Sequence, residues 1–415
     1  LQINGDRLNE DLRQLGKIGY RPGKGVTRLA LSEDDLLGRR WLQEKMREAG
    51  LKVTIDHAAN VIGRLPAGRS AAGSVVIGSH LDTVPEGGAY DGALGVLAGL
   101  EVARACQEND IDLPWDLQII NFTDEEGHHY AGTFGSRAMM QGVPEEELEH
   151  TRAEGGASLR EDLRAAGADP DRISKARRDP GEVRAYFELH VEQGKLMERD
   201  RIDIGAVTGI AGIYRYLVDV KGEANHAGTT SMTDREDALI PAARVVQLLP
   251  EWAQARADDM VATVGQFFVE PGAVNIIPGR CSFSVELRSI DSSDMVRVRE
   301  RLRSWLEENA SADMRTVFEK DGNYLDEEIR DLIIDSAMNE DLTVEPMSSG
   351  AGHDAQSFAT SSVPTGMIFI PSRGGFSHCP QEYSEPEWVA AGGQVLFKTV
   401  CELARRDWSR DAGVS

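Results

Sequence analysis

The stretch Ser74–Leu100, SVVIGSHLDTVPEGGAYDGALGVLAGL, decides how this chain folds. It opens on Val75, Val76 and Ile77, a short β-branched run of the kind buried in parallel sheets. Gly78 ends the run, and His80 and Asp82 follow at once. Gly87 and Gly88 turn the chain toward Asp91, and the Ala/Leu/Val/Gly pattern from Ala93 to Ala105 reads as a helix. A His just past a strand end and an Asp at the mouth of a helix sit on the rim where open α/β sheets place their ligands. Imidazole with carboxylate is a donor set for a divalent cation such as zinc. Asp82, two residues after His80, is placed to orient the second ring nitrogen. Alone, His-Leu-Asp also suits a cap or a turn. The reading therefore depends on further ligands along the chain.

They occur at other strand ends. Leu117–Phe122 runs into Thr123-Asp124-Glu125-Glu126-Gly127, and Val183–Leu189 runs into His190-Val191-Glu192-Gln193-Gly194. Met367–Ile370 leads through a Gly-rich turn to His378. His80, Asp91, Glu125, Glu126, His190 and His378 together give three imidazoles and three carboxylates on one sheet edge. That set suits two metal ions sharing one bridging carboxylate, the arrangement that polarises a carbonyl and generates hydroxide near neutral pH. In the pair Glu125-Glu126, one member is expected to ligate while its neighbour takes the proton from the attacking water.

Around this edge the chain has two textures. Helices are expected over Asn9–Ile18 and Glu33–Ala49, the latter capped by Ser32, with paired strands at Leu51–Ile55 and Val61–Leu65. Glu145–Pro180 is charged and irregular and reads as a helical insertion on the surface. Near Gly209 the pattern changes. Strands at Tyr214–Lys221, Met260–Val269, Arg280–Arg288 and Arg315–Phe318 alternate with helices at Asp237–Leu249 and Ser293–Glu308. The order β-α-β-β-α-β is that of a ferredoxin-like unit. The α/β texture then returns to the C-terminus. The expected fold is therefore α/β, a mixed sheet flanked by helices formed by residues 1–208 and 322–415, with an inserted α+β domain at 209–321.

A chain of 415 residues exceeds what one core usually supports, in keeping with two domains. The net charge of −24 argues against nucleic-acid binding, which needs a basic footprint. Of the 45 basic residues 36 are Arg, and acidic surplus with scarce Lys suggests a surface suited to high salt, as in a halophile. No stretch of about 20 apolar residues is present to span a membrane. The opening segment lacks the charged-then-apolar order of a signal peptide. The four cysteines, without CxxC spacing, read as reduced thiols. A cytoplasmic location is expected.

Longer motifs make the reading specific. They are GVTRLALSEDD (Gly25–Asp35), GSHLDTVPEGGAYDG (Gly78–Gly92), DEEG (Asp124–Gly127) and GSRAM (Gly135–Met139). ELHVEQG (Glu188–Gly194), GEANHAGTTSMTDREDAL (Gly222–Leu239), VNIIPG (Val274–Gly279), SGAGHDA (Ser349–Ala355) and SHCPQE (Ser377–Glu382) follow. With these the chain resembles the hydantoinase/carbamoylase branch of the dinuclear-metal aminoacylase and carboxypeptidase superfamily. That branch holds N-carbamoyl-L-amino acid amidohydrolases, β-ureidopropionases and allantoate amidohydrolases. The resemblance implies a dinuclear-metal hydrolase domain whose inserted domain is a lid and dimerisation module. It implies His80, Asp91 and His190 as ligands of one metal, with Asp91 bridging to a second completed by Glu126 and His378. Glu125 would be the general base. Gln193 and His226 would contact the scissile carbonyl, His226 as oxyanion stabiliser, while Asn275 and Arg288 would hold the substrate α-carboxylate. The implied reaction hydrolyses the C–N bond of an N-carbamoyl-L-amino acid or related ureido acid, releasing ammonia and carbon dioxide. Allantoate or ureidopropionate hydrolysis is the near alternative, and an N-acyl amino acid hydrolase or peptidase the further one. The implied cofactors are two divalent ions per subunit, zinc or manganese, with cobalt or nickel compatible. The implied partners are a small ureido or carbamoyl acid and a second copy of the chain. One departure stands out: His128, His129 and Tyr130 occupy the place where the family has a small residue followed by Arg-Phe. They read as pocket-rim residues.

Overall fold

Ser74–His80 is a strand buried along its whole length. Parallel neighbours flank it on both sides, Asp116–Phe122 on one and Val183–Val191 on the other. Helices cover the faces, so every position before His80 is apolar or small, as a two-sided burial demands. The computed structural model describes residues 1–67, 73–127, 132–151, 156–256 and 259–406.

Thr365–Ile370 extends the parallel set beside Val183–Val191, and Ile204–Ile210 adds to it antiparallel. On the other side Val61–Leu65 lies antiparallel to Asp116–Phe122 and forms a hairpin with Lys52–Ile55. The chain thus leaves Ser74–His80 toward one side and later returns on the other. A switch point results between this strand and Val183–Val191, and there an open sheet leaves a crevice at its carboxyl edge.

Helix Ala93–Glu108 seats directly on this sheet. A Cβ on Gly95 would stand 2.6 Å from the Leu189 carbonyl oxygen and 2.8 Å from the Ser79 Cβ. Only glycine allows that approach, and the approach fixes where the helix mouth, with Asp91, meets the strand ends. Helices Gly5–Leu15 and Pro386–Arg405 pack against the same layer.

Several boundaries differ from the sequence reading for local reasons. The first helix spans Gly5–Leu15, because the Asn4 side chain accepts the Arg7 N–H at 3.0 Å and caps it there. Ser32 caps Glu33–Glu48 by accepting the Asp35 N–H. In the charged stretch, 3₁₀ turns at Glu145–Glu149 and Pro170–Ala176 flank a short helix at Leu159–Ala165. Leu148, Leu159 and Leu163 bury with Phe134 and Ala138 in a small core, so this insertion is packed and not merely laid on the surface.

By compactness the chain divides into two units, Leu1–Thr208 with Leu325–Met347 and His353–Ser415, and Gly209–Tyr324 with Ser348–Gly352. The second has an antiparallel sheet in the order Val261–Thr263, Arg280–Ser289, Gly212–Lys221, Ser311–Lys320. Its core joins that sheet to helices Leu239–Gln254 and Ser292–Asn309 through Val218, Phe283, Val285, Val298 and Leu302. The single strand expected over 260–269 is two, Val261–Thr263 and Phe267–Glu270. Thr263 opposes Glu286 and Phe267 opposes Phe283, so 264–266 place one residue too many against the partner and interrupt the ladder as a bulge does. Among the described residues no helix is long and apolar enough to cross a membrane. The four cysteines are free thiols.

Candidate metal centre and active site

His80 ends its strand with Nδ1 2.9 Å from the Asp82 backbone carbonyl oxygen. His190 likewise has Nδ1 2.8 Å from the Val191 carbonyl oxygen. A carbonyl only accepts, so both rings carry a proton on Nδ1 and turn Nε2 to the same space, the ligand-ready orientation. Asp91 sits between the rings. Its Oδ1 lies 3.6 Å from His80 Nε2 and 3.1 Å from His190 Nε2, while Oδ2 lies 3.3 Å from His378 Nε2. Each oxygen of one carboxylate thus faces a different imidazole group, the geometry of a bridge. Glu126 Oε1 lies 3.5 Å from His378 Nε2 and is buried without a hydrogen-bond partner. Glu125 Oε2 is 3.7 Å from His80 Nε2.

Two donor groups emerge, His80–Asp91–His190 and Asp91–Glu126–His378, each with its atoms within 4.8 Å of one another. Electrostatics says what they lack. Burial, then the charges of Glu126, Asp354, Asp82 and Asp91, push the Glu125 carboxyl well above the carboxylate range. Burial and then Asp91 and Asp82 do the same to Glu126. Burial opposes ionisation of Asp91 as well, but His190, His378 and His80 outweigh it and hold Asp91 well below its usual value. Burial lowers His190, yet Asp91 and Glu188 carry it up to about 9. Buried carboxylates crowded together, with burial opposing their ionisation, mark a site short of positive charge, and bound cations relieve it. The donor set fits two divalent ions.

Local backbone serves the same arrangement. Gly92 has φ +65°, and a Cβ there would strike the His80 ring at 2.4 Å. Asp124, Gln193 and His378 take left-handed φ of 54°, 57° and 55°. For non-glycine residues this costs on the order of 1–3 kcal/mol each and concentrates at functional sites.

Asp82 acts differently from the sequence expectation. Its carboxylate is 3.9 Å from His80 Nδ1, and its own carbonyl orients the ring because the turn after the strand brings that oxygen closer. The carboxylate accepts instead the Glu125 and Glu126 N–H groups at 3.4 and 3.2 Å, holding the acidic turn. Gln193 Nε2 donates to Asp91 Oδ2 at 2.7 Å. His226, Asn275 and Arg288 belong to the second unit. There the His226 segment pairs with the 275–277 loop through Ala227 N–H to Asn275 O and Ile277 N–H to Asn225 O. His226 Nδ1 accepts the N–H groups of Gly228 and Thr229, which leaves the proton of the neutral ring on Nε2. Arg288 stands apart from that loop, its Nε donating to Glu286 and its Nη1 to the Gly350 carbonyl. His128, His129 and Tyr130 lie outside the described residues.

Sequence reasoning missed several supports. Arg28 is fully buried, its Nε donating to the Leu81 carbonyl at 2.6 Å and its backbone pairing with Thr83. Burial pushes its guanidinium down to about 10. Glu188 accepts from Ser79 Oγ, Tyr186 OH and the Ala355 N–H, tying three site-bearing segments together. The His353 ring stands edge-on to His190, with centroids 4.6 Å apart. Glu382 accepts the Tyr90 and Asp91 N–H groups. All four lie within motifs quoted above, but nothing local in the sequence says what they touch.

This sheet edge gathers two candidate metal-ligand groups on an α/β fold, and comparison with known proteins gives the class as a hydrolase. Residues 76–402 match the model of the peptidase family M20/M25/M40. The N-carbamoyl-L-amino acid amidohydrolase of Geobacillus stearothermophilus is 39% identical over 409 residues, 97% of this chain and 99% of that one. The allantoate amidohydrolase of Bacillus subtilis is 33% identical, covering 96% and 97%. Among solved structures, a hydantoinase/carbamoylase family amidase from Burkholderia multivorans superposes with TM-score 0.90 at 33% identity, over 98% of this chain and 99% of that one. The chain belongs to the peptidase family M20/M25/M40.

Proposed function

We propose that this chain is a metal-dependent amidohydrolase of N-carbamoyl-L-amino acids. The carrying observation is that two ligand groups share Asp91 while Glu125 stands beside them and outside both. The 39% identity to an enzyme of that name along nearly its full length supports the substrate class. In this reading His80, Asp91 and His190 hold one ion, and Asp91, Glu126 and His378 the other. Two such ions, zinc or manganese with cobalt or nickel as alternatives, supply Lewis acidity for the carbonyl and acidify water. Glu125, whose burial among carboxylates raises its proton affinity, takes the proton of the attacking water and returns it to the departing nitrogen. The C–N bond breaks, and the products are the amino acid, ammonia and carbon dioxide. His226 offers Nε2–H to the developing oxyanion, and Gln193 approaches the same carbonyl. Asn275 of one copy and the planar fork of Arg288 of the other take the α-carboxylate. The second unit acts as a lid and pairs with that of a second copy. The enzyme works in the cytoplasm, and its acidic, Arg-rich composition is that of a halophile's protein.

Allantoate is the second reading, because an allantoate amidohydrolase is 33% identical over 96% of the chain. A panel separates them: N-carbamoyl-L-amino acids, allantoate, 3-ureidopropionate and N-acetyl-L-amino acids, each supplied with Mn²⁺ or Zn²⁺. Fastest ammonia release from the carbamoyl amino acids is expected. Preference for allantoate moves the assignment to the second reading. Cleavage of only the acetyl compounds overturns both.

A further inference from the structure

Glu382 lies 292 positions from Tyr90 in sequence, yet it closes on the loop that carries the shared carboxylate. Its Oε1 accepts the Tyr90 N–H at 2.8 Å and the Asp91 N–H at 3.0 Å. Its Oε2 lies 3.1 Å from Ser377 Oγ, and that hydroxyl is also 2.7 Å from Asp91 Oδ2. Ser377 immediately precedes His378, so one buried carboxylate joins the Asp91 loop to the His378 loop. The fit is keyed from the other side as well. A Cβ on Gly88 would fall 2.1 Å from the Glu382 carboxyl carbon, so the loop admits Glu382 only because residue 88 has no side chain.

We infer that Glu382 is the positioning residue of the second metal site: through Ser377 and the Tyr90 and Asp91 amides, it sets the spacing between Asp91 and His378. The inference rests on the two-ion reading above. The first ion depends on it less. His80 and His190 are held by strand pairing and by the carbonyls of Asp82 and Val191, none of which involves Glu382. Two of the three ligands of the second ion hang from the loops that Glu382 joins. Outer residues of this kind typically govern metal affinity by roughly 10–100-fold.

The test titrates the metal-free full chain with Co²⁺, following its visible absorption and the heat of binding. The wild-type chain is expected to bind two ions in separable steps. Glu382→Ala should keep the first step and weaken the second by roughly 10–100-fold. Glu382→Gln, whose amide oxygen still accepts both N–H groups, should stay close to wild type. Gly88→Ala evicts the carboxylate and should reproduce Glu382→Ala, and the double variant should be no worse than either single one, as expected for groups acting as a unit. Ser377→Ala should weaken the second step alone. If Glu382→Ala does not fold, Gly88→Ala and Ser377→Ala decide. Unchanged second-step binding in the folded variants overturns the inference, because a residue serving stability alone would lower the melting temperature without separating the two steps. Fewer than two ions in the wild type overturns the two-ion reading, and the inference with it.

Discussion

At the scale of single residues, the proposed site divides its labour between two adjacent glutamates. Glu126 Oε1 is buried without a hydrogen bond, 3.5 Å from His378, whereas Glu125 belongs to neither donor group. Glu125→Gln should therefore leave metal content unchanged and reduce turnover by about 10²–10⁴, the usual effect of losing a general base. Metal analysis beside single-substrate kinetics checks this, and near-normal turnover would remove Glu125 from that role. His80, Asp91, Glu126, His190 and His378 were legible because each follows a readable strand end or helix mouth, and the structure brings them together. What orients them was not legible. The partner of His80 Nδ1 is a backbone carbonyl, a group every residue carries. The partner of the Asp91 amide is a glutamate nearly 300 residues away, for which no local pattern exists. Asp82 was visible as a support, but not that its carboxylate would turn to the Glu125-Glu126 amides.

At the scale of elements, the strand Ser74–His80 and the helix Ala93–Glu108 act as one piece, because the helix backbone touches the sheet at Gly95. Gly95→Ala would place a methyl 2.6 Å from the Leu189 oxygen and 2.8 Å from the Ser79 Cβ, both on strands that carry ligands. Neither neighbour yields cheaply, so overpacking should cost about 1–3 kcal/mol. Chemical denaturation would show that loss as a lower midpoint with an unchanged slope. A stability equal to wild type would mean that the helix rides higher than the contact distances indicate. These two elements were readable from β-branching, length and small-residue content. Boundaries were harder where a side chain decides them. Asn4 starts the first helix by capping Arg7, and one surplus residue between Thr263 and Phe267 divides what alternation alone presents as a continuous strand.

For the whole molecule, the net charge of −24 imposes mutual repulsion that salt should relieve. The melting temperature should rise from about 0.05 M to several molar potassium chloride, over which the screening length falls to a few ångströms. A flat or falling midpoint would contradict adaptation to high salt. The central claim is that this chain hydrolyses a C–N bond with two divalent ions seated around Asp91. The most direct measurement is ammonia release from an N-carbamoyl-L-amino acid by chelated, metal-free enzyme to which Mn²⁺ or Zn²⁺ is returned in known ratio. The account predicts negligible release from the metal-free chain and full recovery only as two ions per chain are restored. Undiminished ammonia release from the verified metal-free chain would contradict it.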